Sequence, residues 1–168
     1  MRKHSSLSRS VTIVALSLGA ATCSDSGDAN LTPPSPALLQ CPVAQTSTTS
    51  ALVTALGGTV SLGGTSIQIP AGALVAATTI KLTVPASQNM EIEVRANDLT
   101  SFLFQQSVSI TIDYSRCPAA EASKTPLSVW HIDTQTKALL ENMGGVDNKT
   151  SHTITFTTGH LSGYAVAF

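Results

Sequence analysis

From Gly57 onward, apolar and polar residues alternate with a period of two, and runs of alternation are separated by turn residues. The runs are Thr59–Leu62, Ser66–Ile69, Thr79–Val84, Met90–Arg95, Ser107–Tyr114 and His152–Thr157. In the third, Ile80, Leu82 and Val84 oppose Lys81 and Thr83; in the fourth, Met90, Ile92 and Val94 oppose Glu91 and Glu93. The fifth sets Val108, Ile110, Ile112 and Tyr114 against Ser107, Ser109, Thr111 and Asp113, and the sixth sets Ile154 and Phe156 against threonines. Short strands with one solvated face and turn-rich connections predict an all-β fold, a small antiparallel β-sandwich. Gly63-Gly64 between the first two runs predicts a tight hairpin, since adjacent glycines accept positive φ. One short helix is expected around Ser50–Leu56, capped by Ser47 or Ser50.

The last run, "GYAVAF", breaks the rule of one wet face. Tyr164, Val166 and Phe168 fall on one side and Gly163, Ala165 and Ala167 on the other, so this strand belongs inside a sheet with close neighbours over its flat side.

The opening of the chain follows a different logic. Arg2, Lys3 and Arg9 precede a mostly apolar stretch from Val11 to Ala21, then small residues and Cys23. A charged start, an apolar run too short for a membrane span and a small-residue junction predict a signal peptide over residues 1–22. Cys23 occupies the place of a bacterial lipoprotein's lipidated cysteine, although Thr22 and Ala20 depart from the usual lipobox residues. The alternative is cleavage after a small residue such as Ala21, which leaves Cys23 a plain thiol. Residues 23–40 carry Pro33, Pro34 and Pro36 among small polar residues and are expected to be a tether, with the folded domain over residues 41–168. The reading is of an exported chain, lipid-anchored in the cell envelope, facing the periplasm or the surface.

Three cysteines are an awkward count for an exported protein unless one is otherwise used. Lipidation of Cys23 leaves Cys41 and Cys117 to form a disulfide, against the alternative of two separate buried thiols. The 168 residues, less a leader, allow one domain and no second core. The formal net charge is −1, and Lys81, Arg95, Arg116, Lys124, Lys137 and Lys149 are scattered, which excludes the basic patch that nucleic-acid binding needs.

Two stretches together resemble a known family. "GGTVSLGGTSIQIPAGAL" (Gly57–Leu74) is similar to the opening of the ZU-type domain of zonula occludens proteins, netrin receptors and ankyrins, with its Gly-Gly start and Ile-Pro-x-Gly-Ala-Leu turn. "LSVWHID" and "TGHLSGYAVAF" resemble its closing half, and the likeness spans Gly57–Phe168. The resemblance implies a β-sandwich that binds a protein partner, here an unidentified envelope or extracellular protein, with no cofactor and no enzymatic turnover. It transfers no partner-binding residues.

Chemistry enters at His160-Leu161-Ser162. This tripeptide is similar to the cut site of the adhesion-receptor autoproteolysis domain: Ser162 would attack the Leu161 carbonyl, His160 would help take the proton, and the ester would hydrolyse. Gly159 and Gly163 allow either the kink this needs or an innocent turn. A hydrolase built from Ser162, His160 and Asp133 lacks a Gly-x-Ser-x-Gly elbow. His131 and Asp133 share a strand face, with His152 and His160 elsewhere, but the spacing is not that of a metal motif, and no metal site is expected. Trp130 is expected in the core; a carbohydrate-binding module is the remaining alternative, resting on this one aromatic. Asn148-Lys149-Thr150 reads as a polar turn.

Overall fold

The computed structural model describes residues 35–99 and 101–168. The expected signal peptide, Cys23 and most of the expected tether lie outside the described residues. The strands are β1 (Gln40–Val43), β2 (Ser47–Val53), β3 (Gly58–Leu62), β4 (Thr65–Ile69), β5 (Thr78–Val84), β6 (Ser87–Asn89), β7 (Glu91–Ala96), β8 (Phe102–Asp113), β9 (Ser128–Ile132), β10 (Leu139–Gly144), β11 (Val146–Asn148), β12 (Thr153–Leu161) and β13 (Gly163–Ala167). One short helix, α1 (Ala119–Ala122), interrupts them. The strands form an all-β antiparallel sandwich. One sheet has the order β10-β9-β13-β7-β5-β2, the other β11-β12-β8-β4-β3, and β1 pairs with β6.

The period-two residues form the shared core. Ile80, Leu82, Met90, Ile92, Val94, Val108, Ile110, Ile112 and Ile154 are all buried, contributed by both sheets. The β3–β4 hairpin closes at Gly63 with φ +60°, as the glycine pair predicts. Gly57 is more demanding: its φ is +79°, and a Cβ there would stand 2.4 Å from the Ile69 carbonyl oxygen. Only glycine fits where this chain passes the Pro70 turn. As expected, β13 lies inside its sheet, between β7 and β9, and all five of its residues are buried.

Four readings need correction. No helix forms over Ser50–Leu56: β2 runs through Val53 and pairs in unbroken register with β5, from Ser47↔Val84 to Val53↔Thr78. Thr48, Thr49 and Val53 are β-branched and suit a half-buried strand better than a helix. Phe168 leaves the inward row of β13 and is exposed, with the Lys124 ammonium 3.7 Å from its ring centroid. Trp130 is only half-buried; it stands opposite Ala165 and donates its Nε1–H to Ser128 Oγ at 3.0 Å. It therefore covers the flat side of β13 from outside the inter-sheet core. Finally, the folded unit begins before Cys41. Ala37 and Phe168 exchange backbone hydrogen bonds, Leu39 N–H donates to the Val166 carbonyl at 2.8 Å, and the Leu39 side chain is fully buried.

Cys41 and Cys117 form a disulfide, with Cα atoms 4.6 Å apart. It fastens β1 to the segment that enters α1, where Gln40 N–H also donates to Glu121 Oε2 at 2.8 Å.

Both tyrosines of the chain are buried in this framework. Burial pushes the Tyr164 phenol up to about 12. It raises Tyr114 as well, helped by the Asp147 carboxylate that accepts its hydrogen bond. A phenol whose folded pKa is raised keeps a proton that the unfolded chain loses, so its stabilising contribution is intact below about pH 10 and declines as pH climbs toward 12. In a spectrophotometric titration at pH 11, folded protein should show less than about a tenth of its phenols ionised, and protein in denaturant roughly nine-tenths. Half-ionisation near pH 10 with a native circular dichroism spectrum would show that the rings are solvated.

Candidate functional site

The chain passes from one sheet to the other between Leu161, the end of β12, and Gly163, the start of β13. Ser162 is the crossing residue, and its carbonyl accepts the Val94 N–H at 2.9 Å. Gly163 has no room for a side chain, because a Cβ would stand 2.3 Å from Thr134 Cγ2. The turn after β9 thus packs onto the crossing. Neither Gly159 nor Gly163 has a positive φ, so of the kink and the innocent turn that the bracketing glycines allow, no kink is built from left-handed backbone.

Ser162 Oγ lies 2.7 Å from His131 Nε2, so the hydroxyl has an imidazole within hydrogen-bond reach. The imidazole is not the one expected. His160 turns its Nδ1 toward Thr158 Oγ1 at 3.2 Å, and its carbonyl accepts from both the Thr158 hydroxyl and the Tyr164 phenol. The proton-accepting role assigned to His160 in the sequence reading thus falls geometrically to His131, from the neighbouring strand. Asp133 is also used elsewhere: its carboxylate accepts the N–H groups of Gln135 at 2.9 Å and Thr136 at 2.7 Å, capping the β9–β10 turn. Those backbone donors hold its carboxyl below the usual carboxylate range. The imagined Ser162-His160-Asp133 triad is not formed, and Asp133 is not beside His131 as a ligand.

Register explains why His131 is there. Residues directly opposite on antiparallel strands share a face, and His131 is opposite Tyr164 on one side and Glu141 on the other. The β9–β10 ladder slips between Leu139 and Glu141, which brings Glu141 rather than Leu140 across from the histidine. From the other sheet, His160 places its ring 5.2 Å from that of His131, centroid to centroid, at 71°. Burial lowers the His131 pKa, the positive form of His160 lowers it further, and Glu141 opposes both. His131 is thereby kept toward the neutral form that can accept a proton or bind a metal.

Ser162 and His131 also line a polar cleft of about 290 Å³, with Glu93, Arg95, Thr134 and Leu140 on its walls. Of the residues singled out from sequence, Ser162 lines this cleft and His160 packs its ring beside that of His131; Cys41 and Cys117 are remote in role, as a bridge; Leu161 is buried. Sequence reasoning missed Glu141. The signal available was its position across the turn Asp133–Thr136 from His131, readable only if a hairpin were assumed there. Compared with protein-family models and with curated proteins, the sequence matches none.

Proposed function

We propose that the chain is an exported, lipid-anchored envelope protein whose single β-sandwich acts by binding a protein partner rather than by turning over a substrate. The supporting observation is the Cys41–Cys117 bridge. A disulfide of this kind persists in oxidising compartments, and it leaves Cys23 as the odd thiol at the expected lipidation position. The ZU-type resemblance agrees with a binding role, and the domain's buried crossing strand β13 gives a fixed scaffold for one.

A second reading has its own observation. The 2.7 Å contact between Ser162 Oγ and His131 Nε2 gives a nucleophile and a base at the junction where self-cleavage would separate Leu161 from Ser162. An unactivated serine needs a strained peptide there. The residues from His160 to Ser162 have ordinary negative φ and trans peptide bonds, which favours the uncut module.

One measurement tests both readings. The protein is produced in a bacterium that processes lipoproteins, and its envelope fraction is analysed by intact mass under denaturing conditions. The expected result is one species that starts at a diacylglyceryl-modified Cys23, ends at Phe168 and loses its lipid in Cys23→Ala. An unlipidated wild type overturns the anchor. A species lacking Ser162–Phe168 that disappears in Ser162→Ala overturns the uncut module in favour of self-cleavage.

A further inference from the structure

Three side chains from three strands meet beside the sheet crossing: His131 of β9, Glu141 of β10 and His160 of β12. Each offers one ligand atom, and these atoms lie within 4.8 Å of one another. We propose that His131, Glu141 and His160 form a binding site for a divalent transition metal, zinc above all, that ties the two sheets together. The proposal is independent of the anchoring and partner-binding reading.

The donor set suits the ion. Two imidazoles and a carboxylate are borderline donors that favour zinc over calcium or magnesium, which prefer an all-oxygen shell. Ligand atoms around a tetrahedral zinc stand about 3.3 Å apart, so side-chain rotations of about 1.5 Å close the site. Both imidazoles are already supported from outside. Thr158 Oγ1 is 3.2 Å from His160 Nδ1 and Ser162 Oγ is 2.7 Å from His131 Nε2, so a hydroxyl holds one nitrogen of each ring and the other remains for an ion. Ligating histidines are oriented in this way by a second set of polar groups. Glu141 is exposed and the two histidines half-buried, so an ion enters from solvent, and three protein ligands leave it a position for water.

The arrangement also has a mechanical consequence. His131 and Glu141 belong to the six-stranded sheet and His160 to the five-stranded one, so the ion would clip the sheets together at the residues flanking Ser162. With zinc at about 100 times its dissociation constant, the melting temperature should rise by about 5–10 °C.

The test uses untagged full-length protein stripped with a chelator, titrated with zinc by calorimetry and with cobalt(II) by absorption. Expected are one zinc per chain with micromolar or tighter affinity, and a tetrahedral cobalt spectrum. His131→Ala, His160→Ala and Glu141→Gln should each weaken zinc binding at least roughly tenfold. His152→Ala is the control, since that ring meets Tyr114 edge-on, away from the cluster, and it should bind as wild type does. Glu141 is exposed, so Glu141→Gln keeps the fold even if a histidine variant does not. Absence of zinc binding by the wild type, or zinc affinity unchanged in a folded Glu141→Gln variant, overturns the site.

Discussion

Replacing both bridge cysteines, Cys41→Ala with Cys117→Ala, should lower the unfolding free energy by about 4.5 kcal/mol. The cysteines are 76 residues apart, so the bridge denies the unfolded chain a large set of conformations, and the loop-closure entropy at that length sets the figure. Domains of this size are stable by roughly 5–15 kcal/mol, so the loss removes at least about three-tenths of the total. Alanine avoids placing a new hydroxyl where Cys41 is fully buried. Urea unfolding of the oxidised wild type and of the double variant is the direct comparison. The variant should also show a steeper denaturant dependence, because its unfolded state exposes more surface. A loss under about 1 kcal/mol would mean that the bridged ends stay close in the unfolded chain without it.

The position of the bridge adds a local expectation to the global one. Leu39 is inserted beside β13, receiving the Met90 N–H on its carbonyl and giving its own N–H to Val166, only two residues before Cys41. The bridge therefore anchors the segment that extends the central part of the six-stranded sheet. The sequence predicts a tether here because prolines and small residues dominate the local composition. Leu38 and Leu39 are the only signal to the contrary, and their partners are more than a hundred residues away at Ala167 and Val166. Composition reports what a segment can do alone; pairing with β13 is a property of the whole chain.

The same contrast separates what was legible elsewhere. Strands β4, β5, β8 and β12 announce themselves because each has one face on the core and one in or near water, and that asymmetry is written as alternation. β2 is an edge strand whose outer face, Thr48, Ser50 and Leu52, is exposed and whose other face is small or polar until Val53, so its serines and threonines look like a helix cap followed by Ala51-Leu52-Val53. Its true partner, β5, is what makes it a strand. In the candidate site, Ser162 and His160 were visible as a local motif, whereas His131 and Glu141 reach it through register. Without the slip in the β9–β10 ladder Leu140 rather than Glu141 would stand across from His131, and no local pattern encodes that slip.

Glu91 is the residue that alternation misplaces most sharply, and it supports the second large prediction. Alternation places it in solvent, opposite Met90 and Ile92, yet it is 2% exposed. It pairs with Ala165 of the central strand, on the same outer face as Trp130, and Lys137 Nζ reaches over to donate to both carboxylate oxygens at 2.8 Å. The ammonium end belongs to a side chain about a third exposed, so the lysine retains part of its hydration while the carboxylate has lost nearly all of its own. Removing the lysine leaves that carboxylate buried without a counter-charge, which in buried pairs costs about 3–5 kcal/mol. Partial exposure of Lys137 places the expected loss for Lys137→Met near the lower end, about 3 kcal/mol, well above the 0–1 kcal/mol of surface pairs. Methionine keeps the apolar stem and, like lysine, must tolerate the φ of +62° at this position, so backbone strain is matched between the two. Adding Glu91→Leu to Lys137→Met removes the stranded charge, and the double variant should recover to within about 1 kcal/mol of wild type. Equilibrium urea unfolding of the two single variants and the double variant gives the coupling directly. A single-variant loss below about 1 kcal/mol, or a double variant no more stable than Lys137→Met alone, would show that water reaches Glu91 and that the pair acts as an ordinary surface contact.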